Sequence, residues 1–393
     1  MSWPTIALGE AVTFKGGGTP SRDNASFWGG RIPWATVKDF GSGYSLRSTQ
    51  ESITEEGLRG SASNLIPAGT VVIPTRMALG KAAIAGADIA INQDLKAVFP
   101  TRDLDSRFLL WYFIANSSRI EAMGKGATVK GVTLEQLRSL DLPMPPLAEQ
   151  RRIAAILDKA DALRAKRREA IAKLDQLLQS VFLDMFGDVS TNPRGWRVQP
   201  LGEILKSARV FTDGDWVESK DQDPHGSVRL IQLADVGDGD YIDKSRRFLT
   251  KETALRLRCT FLEAGDILVA RMPHPLGRAC LFPGDQRESV TVVDVCVIRP
   301  GQGGPNPAWL TTCLNSDSVR SQISKMATGT TRSRISRGNL SKIELICPPL
   351  HDQLVFAKAV ERIAATRRSC VESLNSTEDL FKSIQQRAFS GAV

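Results

Sequence analysis

Residues 145–150 read Pro145-Pro146-Leu147-Ala148-Glu149-Gln150, and they open a helical pattern that continues without Gly or Pro to about Phe186. We expect one long helix that ends at Gly187, because proline interrupts helices and glycine favours the conformation that follows a helix C-terminus. At 1.5 Å per residue the helix would be roughly 57 Å long. Apolar or small residues recur along it in steps of three and four, which is the spacing of a coiled-coil seam, and Arg167 interrupts this seam. The seam residues are Ile153, Ile156, Ala160, Leu163, Ala170, Leu174, Leu177 and Val181.

The same opening returns near the C-terminus as Pro348-Pro349-Leu350-His351-Asp352-Gln353, and a second stripe follows it to Phe389. Each stripe is narrow, so neither helix is expected to be stable alone. We therefore predict that the two helices bury their stripes on each other. Two copies of one unit tend to pack about a pseudo-twofold axis, which would make the helices antiparallel.

The whole chain is an internal duplication, a pattern that must be sought before any fold is assigned. Trp3 and Leu8 are followed 193 residues later by Trp196 and Leu201. Residues 32–39 match 228–235, residues 66–73 match 262–269, and from Gly126 and Gly329 onward the copies stay in one register. Short strands are predicted at 69–74, 97–100, 140–144, 265–270, 292–299 and 343–347, and helices or buried segments at 107–116 and 309–315.

This pattern predicts an α+β fold class, with two β-rich globular domains separated by a pair of long antiparallel coiled-coil helices. The predicted divisions are a first globular domain at 1–147, a first spacer helix at 148–187, a connector at 188–195, a second globular domain at 196–350 and a second spacer helix at 351–391.

Composition sets wide bounds on function. The chain has 393 residues, 42% of them hydrophobic and 24% charged, which is typical of globular proteins with two or three domains. No apolar run is long enough to span a bilayer, so we expect a cytoplasmic protein. The net charge of +8 permits a polyanionic partner without proving one. The six cysteines have no metal-ligand spacing, so we expect reduced and mostly buried thiols and no metal site.

Common catalytic motifs are missing. The sequence has no phosphate-binding P-loop, no complete GxGxxG, no GxSxG and no HExxH. It also lacks Asn-Pro-Pro-aromatic, the active-site motif of adenine methyltransferases. We therefore predict no catalytic residue and no cofactor in this chain.

Glycine- and hydroxyl-rich basic loops recur in both copies. Lys and Arg pair with phosphates, Ser, Thr and backbone N–H groups orient them, and Arg can read base edges. The loops therefore favour contact with double-stranded DNA, although any single one could equally be a solvated connection between strands. The candidate DNA-contacting residues are Lys15, Thr19, Arg76, Lys81, Lys125, Thr128 and Lys130 in the first copy, and Arg271, Arg278, Thr330, Arg332, Ser333 and Arg334 in the second.

Two other features allow a functional and a structural interpretation. The helical cluster Lys166-Arg167-Arg168, together with Arg367-Arg368, could approach DNA phosphates, but such runs more often form a solvated helix face. Aromatic residues could stack on bases, but packing is the favoured interpretation for each of them. These aromatic residues are Trp28, Trp34, Trp111 and Trp216.

The duplicated Pro-Pro-Leu-x-x-Gln helix start, and the helix ends Phe186-Gly187-Asp188 and Ala388-Phe389-Ser390-Gly391, resemble the specificity subunits of type I restriction–modification systems. The second copy departs from the first by having His351-Asp352 in place of Ala148-Glu149. The resemblance implies two target-recognition domains, each of which reads one half of a bipartite DNA site, and helices that set the gap between the halves.

The resemblance also implies partners. Two methyltransferase (M) subunits would clasp the helices and methylate adenine with S-adenosylmethionine, and translocase–nuclease (R) subunits using ATP and Mg²⁺ would join for restriction. The complex would lie in the cytoplasm of a bacterium or archaeon, associated with the nucleoid. The expected partner-binding residues are Leu147, Glu149, Gln150, Leu350 and Gln353.

Two alternatives remain open from the sequence. The chain could be a protein-interaction scaffold, with two ligand-binding domains on a coiled-coil spacer and no role with DNA. It could also be the recognition portion of a fused restriction–methylation enzyme, although the duplication from Trp3 to Gly391 leaves no room for a catalytic extension.

Overall fold

Both predicted long helices are present, at Leu147–Phe186 and Leu350–Ser390, each beginning one residue before its predicted start. The computed structural model describes residues 3–41, 43–126, 129–272, 275–329 and 332–390. They form two compact units: unit 1 comprises the described residues of Met1–Glu169 and Val371–Val393, and unit 2 is Ala170–Cys370. Each long helix therefore contributes one part to each unit.

Unit 1 is built from two main sheets. Its described strands are β1 (Thr5–Ala7), β2 (Val12–Gly16), β3 (Trp28–Ala35), β4 (Ser45–Leu46), β5 (Glu51–Ile53), β6 (Asn64–Ile66), β7 (Val71–Pro74), β8 (Ala83–Ala85), β9 (Ile89–Ile91), β10 (Leu95–Pro100) and β11 (Asp141–Pro143). Its helices are α1 (Leu8–Ala11), α2 (Glu55–Arg59), α3 (Ser106–Ala115), α4 (Ser117–Met123), α5 (Leu134–Arg138) and the first part of α6 (Leu147–Phe186). The strand orders are β2-β10-β7-β8-β4 and β5-β3-β9-β6, and β1 pairs with β11.

Unit 2 repeats this plan with fewer strands. Its described strands are β12 (Arg197–Pro200), β13 (Val210–Asp213), β14 (Val228–Ile231), β15 (Phe248–Leu249), β16 (Ile267–Ala270), β17 (Ala279–Leu281), β18 (Ser289–Thr291), β19 (Val295–Arg299) and β20 (Glu344–Cys347). Its helices are α7 (Leu201–Ile204), α8 (Lys251–Arg256), α9 (Pro307–Leu314), α10 (Asp317–Lys325), α11 (Arg337–Leu340) and the first part of α12 (Leu350–Ser390). The strand orders are β13-β19-β16-β17 and β15-β14-β18, and β12 pairs with β20.

The predicted strands are confirmed, and so is the turn that precedes the central ones. Gly69 before β7 and Gly265 before β16 have φ angles of +83° and +90°. This left-handed conformation costs glycine little because it has no Cβ. Their N–H groups donate to Ala85 and Phe282 carbonyls, each at 2.8 Å, so the turns start β7 and β16 in equivalent registers.

Each unit's core is closed by the start of one long helix and the end of the other. In unit 1, Leu157 of α6 and Phe381 of α12 pack into the core around Trp111. In unit 2, Phe186 of α6 and Phe356 of α12 have ring centroids 5.5 Å apart in the core. The two helices are therefore antiparallel within each unit, as predicted.

The predicted seam is only partly correct. Leu163 and Leu177 are 43% and 46% exposed rather than buried. The neighbouring residues Arg164 and Leu178 are turned inward in their place, and the guanidinium of Arg164 lies 4.2 Å from the centroid of the Phe381 ring. A guanidinium can occupy such a seam because it stacks on aromatic faces while its nitrogens stay paired. Here Asp161 and Glu378 provide the paired carboxylates.

The Pro-Pro-Leu-x-x-Gln motif is a clamp inside each unit. The Nε2 group of the fully buried Gln150 donates to the carbonyls of Pro145 and Asp103, each at 2.9 Å. Its Oε1 atom accepts from the N–H of Asp105, the N-cap of α3, at 2.9 Å. Gln353 repeats the arrangement, with Nε2 donating to the carbonyl of Pro348 and Oε1 accepting from Asn306 N–H.

The prediction that Gln150 and Gln353 bind a partner is therefore wrong. Both side chains are buried, and their polar atoms are used to fix the first turn of a long helix to the neighbouring domain. A buried amide needs such partners because an unpaired one is costly. Of the other expected partner-binding residues, Leu147 and Glu149 are half-buried and Leu350 is exposed.

Four of the cysteines are buried and two are half-buried, all of them unpaired, as expected. Within the described part of the chain, no helix combines the length and the apolar character needed to cross a membrane.

Candidate nucleic-acid interface

In unit 1, two basic loops are joined by backbone hydrogen bonds. In the loop after β7, the carbonyl of Thr75 accepts a hydrogen bond from the N–H of Val132 at 3.0 Å. The N–H of Met77, in the same loop, donates to the carbonyl of Lys130 at 3.1 Å. The second loop is closed on itself by reciprocal bonds of 2.9 Å between Lys125 and Gly131. We call residues 75–81 and 125–131 the loop pair of unit 1. Its backbone geometry is fixed by the ends of β7 and α4.

Unit 2 contains the same loop pair, at 271–278 and 328–334. The carbonyl of Arg271 accepts from Ile335 N–H at 3.1 Å, and Thr328 and Arg334 exchange reciprocal bonds of 2.9 Å. These bonds are the counterparts of those in unit 1, so the sequence repeat extends to individual hydrogen bonds. Thr128 and Thr330, both predicted to contact DNA, lie outside the described residues.

A third loop in each unit is hydrogen-bonded to the end of a strand, β9 in unit 1 and β18 in unit 2. The N–H of Gly18, after β2, donates to the carbonyl of Ile91 at 3.0 Å, and the N–H of Asp215, after β13, donates to the carbonyl of Thr291 at 2.8 Å. The preceding glycines permit this approach, because a Cβ on Gly17 would lie 1.9 Å from the Ile91 oxygen and one on Gly214 would lie 2.2 Å from the oxygen of Val292. The backbone position of Thr19 is therefore that of Trp216.

The loops of unit 1 surround an open groove of about 750 Å³, lined by Arg76, Gln93, Lys96 and Lys125, among others. Thr19 lies at the same groove, since its hydroxyl is 2.5 Å from Oε1 of Gln93. Burial lowers the pKa of Lys96; the nearby carboxylate of Asp94 opposes this shift, and the positive charge of Arg76 adds to it. The groove therefore presents cations together with one carboxylate.

Sequence reasoning missed Gln93 and Lys96. Neither lies in a glycine-rich loop, and only the antiparallel pairing of Lys96 with Gly16 places its side chain beside the groove. Met77, also at the groove, is 59% exposed and has a φ angle of +64°. An apolar side chain held out in this uncommon conformation is the kind of local strain that clusters at binding sites.

The remaining predicted residues of unit 1 are on the surface. Lys15, Thr19, Arg76, Lys125 and Lys130 are all exposed. The Nζ group of Lys81 donates to the carbonyl of Phe40 at 3.1 Å, which anchors that side chain across the unit's own surface.

In unit 2 the second loop carries the accessible cations. Arg332 is exposed. Ser333 donates to the carbonyl of Gly329 at 3.3 Å, and the half-exposed Arg334 pairs with Asp294 at 3.1 Å. Asp294 also bonds to the first loop, through its carbonyl and Arg271 N–H.

Arg271 was wrongly predicted to face DNA. Its side chain is 4% exposed, lies 3.2 Å from Asp213 and donates to the Val293 carbonyl, so it supports the loop from within. The half-buried Arg278 donates to the carbonyls of Val236, Leu233 and Pro275, which favours a structural role for it as well.

The cationic run on α6 is also engaged inside unit 1. Arg167 donates to the carbonyl of Ser373, and Arg168 pairs with Glu378 at 2.5 Å. In unit 2, Arg367 pairs with Asp175 at 2.8 Å and with Asp240 at 2.9 Å. These ion pairs favour a structural role for the run, while Lys166 is exposed.

The predicted packing of the tryptophans is correct for three of four. Trp34 and Trp111 are buried. Trp28 is half-buried, with its ring centroid 5.1 Å from that of Trp34. Trp216 is 68% exposed, so its prediction was wrong.

Asp215, beside Trp216, gives a pH-dependent prediction. Burial raises the pKa of this carboxyl from 3.8 to about 6, and hydrogen bonds from Thr260 and Cys259 offset the shift only in part. The group therefore stabilises unit 2 most below pH 3.8, and this contribution is lost as the pH rises through 6. We expect Asp215→Asn to become more stable relative to the unsubstituted chain between about pH 4 and pH 7, in denaturation experiments at several pH values. A stability difference that does not change with pH would contradict the assignment.

Comparison with known proteins finds a similarity to one family over the first part of the chain. The sequence profile described as the type I restriction modification DNA specificity domain matches residues 2–173. The EcoR124I/EcoR124II specificity subunit of Escherichia coli is 33% identical over 189 residues, which are 46% of this chain and 46% of that protein. Residues 2–173 are therefore similar to the type I restriction–modification DNA specificity domain.

Other specificity subunits match the chain with different coverage. The MjaIX specificity subunit of Methanocaldococcus jannaschii is 29% identical over 52% of both chains. The chain thus spans about half the length of these first two relatives. The EcoBI specificity subunit of Escherichia coli is 23% identical over 92% of this chain and 85% of that protein.

Solved structures of specificity subunits confirm the fold class. The S subunit from M. genitalium has a TM-score of 0.63 at 14% identity and covers 99% of this chain and 96% of its own. A chain solved in work on the assembly and conformational transition of the type I R–M system has a TM-score of 0.60 at 19% identity, covering 100% of this chain and 98% of its own. The mixed α and β elements and the two long helices are therefore features of this fold.

Proposed function

We propose that this chain is the DNA-specificity subunit of a type I restriction–modification complex and that each unit reads one half of a bipartite target in double-stranded DNA. The long helices would set the gap between the halves. The chemistry would belong to partners: M subunits that methylate adenine with S-adenosylmethionine, and R subunits that use ATP and Mg²⁺ for translocation and cleavage. This chain itself would hold no cofactor.

The single observation that carries this proposal is the loop pair that recurs in both units with the same backbone bonds but different side chains. The two units share a backbone arrangement but differ in their polar and basic side chains. This is the pattern expected of two domains that both bind DNA and recognise different sequences. The similarity of residues 2–173 to the type I restriction modification DNA specificity domain supports the same function.

Exposed apolar residues on the long helices are the proposed docking surface for the M subunits. On α12, Leu350, Leu354 and Val355 are exposed together at the first turns. Leu163 and Leu177 on α6 are exposed because they face away from the seam. Unit 1 has Arg151 and Arg152 where α12 has Leu354 and Val355, so the two helix starts would not offer partners the same surface.

The test is methylome sequencing of the host with and without this gene. We expect one split adenine-methylated motif that disappears when the gene is deleted and returns when it is restored. An unchanged methylome would remove the proposal. A gel-shift assay with the methyltransferase partner present separates it from the scaffold alternative, which requires no binding to the motif.

Substitution of the exposed arginine Arg332 should reveal a phosphate contact. We expect Arg332→Ala to weaken binding to all DNA sequences about equally, and to reduce the slope of log affinity against log salt by roughly one. Lys206→Ala is a matched control, since this exposed lysine lies outside the loop pair. A slope unchanged by Arg332→Ala would make the loop a solvated connection.

A further inference from the structure

Trp216 is exposed in a way that neither packing nor the fold requires. Its side chain is 68% exposed, whereas Trp34, Trp111 and Trp309 are almost fully buried. Its indole Nε1 donates to Glu218 at 3.2 Å, so one edge of the ring is tethered. Tryptophan is enriched at binding interfaces, because its ring offers a large apolar surface while its N–H group keeps a hydrogen-bond partner.

The position of Trp216 in the repeat ties it to the candidate interface. It takes the backbone place of Thr19, and Thr19 lies at the groove of unit 1 through its contact with Gln93. The hydrogen bonds that set the two loops, from Gly18 to Ile91 and from Asp215 to Thr291, are equivalent. The same backbone position therefore carries a threonine hydroxyl in unit 1 and an indole ring in unit 2.

The surroundings of Trp216 have the chemistry of a nucleobase site. The ring lies at a groove of about 670 Å³ that is also lined by Gln222, Gln232, Arg247 and Asp294. Amide side chains bond the edge of adenine, carboxylates accept from the cytosine amino group, and arginine pairs with guanine or phosphate. The Nε2 atom of Gln232 has no hydrogen-bond partner among the described residues.

The groove is continuous with the basic loop of unit 2. Asp294 lines the groove and pairs with Arg334 at 3.1 Å. Arg247 is exposed, and it donates to Oε1 of Gln222 at 3.2 Å. A duplex held by the phosphate contacts proposed for the loop pair would therefore bring a base edge to this ring.

We propose that Trp216 contacts a base of the half-site read by unit 2 through its indole ring and is a specificity-determining residue for that half-site. This inference rests on the proposed function and adds to it the residue and the mode of contact. In a paired duplex the ring would meet a base edge in the major groove, where an apolar side chain contacts the C5-methyl group of thymine.

The test uses the complex of the full chain with its methyltransferase subunits and duplexes carrying the motif found by methylome sequencing. We expect Trp216→Ala to weaken binding to the intact motif by roughly 10- to 100-fold, which is the usual effect of losing recognition at one base pair. Its affinity for a duplex with the unit 2 half-site scrambled should change little, so the specificity ratio should fall. Trp216→Phe should retain most of the ratio because it keeps a ring. Leu255→Ala, which removes another side chain that is 59% exposed in unit 2, should have no effect.

A spectroscopic measurement gives a second readout. Iodide quenches the fluorescence of exposed tryptophans, so the quenchable fluorescence that disappears in Trp216→Phe belongs to Trp216. DNA that carries the intact motif should protect this fluorescence from iodide. If the unsubstituted complex does not prefer its methylated motif, the proposed function fails. If it does, but Trp216→Ala keeps the full preference and the iodide quenching is unprotected, only this inference fails. Weaker assembly with the methyltransferase at unchanged DNA preference would instead make Trp216 a protein-docking residue and overturn the inference.

Discussion

Arg271→Ala should lower the free energy of unfolding of unit 2 by about 2 to 3 kcal/mol, because it removes an almost fully buried guanidinium that connects three segments of the unit. The guanidinium donates to the carbonyl of Val293 and lies 3.2 Å from the partly exposed carboxylate of Asp213, so its loss leaves the carbonyl without its donor and the carboxylate without its nearby positive charge. The three segments that meet here are the ends of β13 and β16 and the turn before β19. Chemical denaturation would measure the loss of stability, and hydrogen exchange of the unit 2 amides would locate it.

The matched control is Arg332→Ala, which removes an exposed arginine from the same neighbourhood and should change stability by no more than about 0.5 kcal/mol. The two substitutions should therefore separate structure from binding. Arg271→Ala should destabilise unit 2, and Arg332→Ala should change the salt dependence of DNA affinity. If Arg271→Ala left stability intact and reduced the salt slope, Arg271 would contact DNA after all.

Gln150→Ala should destabilise unit 1 by about 3 kcal/mol, since it leaves one buried N–H and two carbonyls without partners. The loss would be felt where α6 begins and where the N-cap of α3 is formed, because the single amide connects both. Thermal unfolding would show the lower stability. Hydrogen exchange should show the earliest opening at the first turns of α6 and α3.

Glu149→Ala is the control for the clamp. Glu149 precedes Gln150 on the same turn, but its carboxylate pairs only with Arg152 on the surface, so its loss should change stability little. Gln353→Ala should produce the same loss in unit 2. Equal stability of Gln150→Ala and Glu149→Ala would show that the amide bonds contribute no net stability.

Periodicity and repetition in the sequence predicted the architecture because both reflect constraints on the backbone. Unbroken runs without Gly or Pro defined both long helices to within one residue of their starts, and the Ala-Gly turns located β7 and β16. The sequence duplication extends to individual hydrogen bonds, such as those that join Val132 to Thr75 and Ile335 to Arg271. None of this depended on knowing which way a side chain points.

Side-chain roles were harder to predict, since residue type alone does not reveal burial. Arg271 follows a buried strand, so the sequence suggests an exposed arginine in a loop. Its side chain is buried beside Asp213, which is far away in the sequence. Gln150 was placed on the partner surface because it is polar and recurs, although recurrence came from its part in the fold. Trp216 shows the opposite error: aromatic character favoured burial, while the register of β13 placed the ring in solvent.

The way in which each core is closed has a consequence for shortened forms of this protein. A chain that ended in the connector at 188–195 would keep Trp111 and Phe108 but lose Phe381 and Phe389, whose rings now contact them at centroid distances of 5.5 Å and 5.1 Å. Such a fragment would expose an apolar cleft that the end of α12 fills in the full chain. The end of α6 closes the core of unit 2 as the end of α12 closes that of unit 1, so it is the segment of the fragment that could fill this cleft in a second copy.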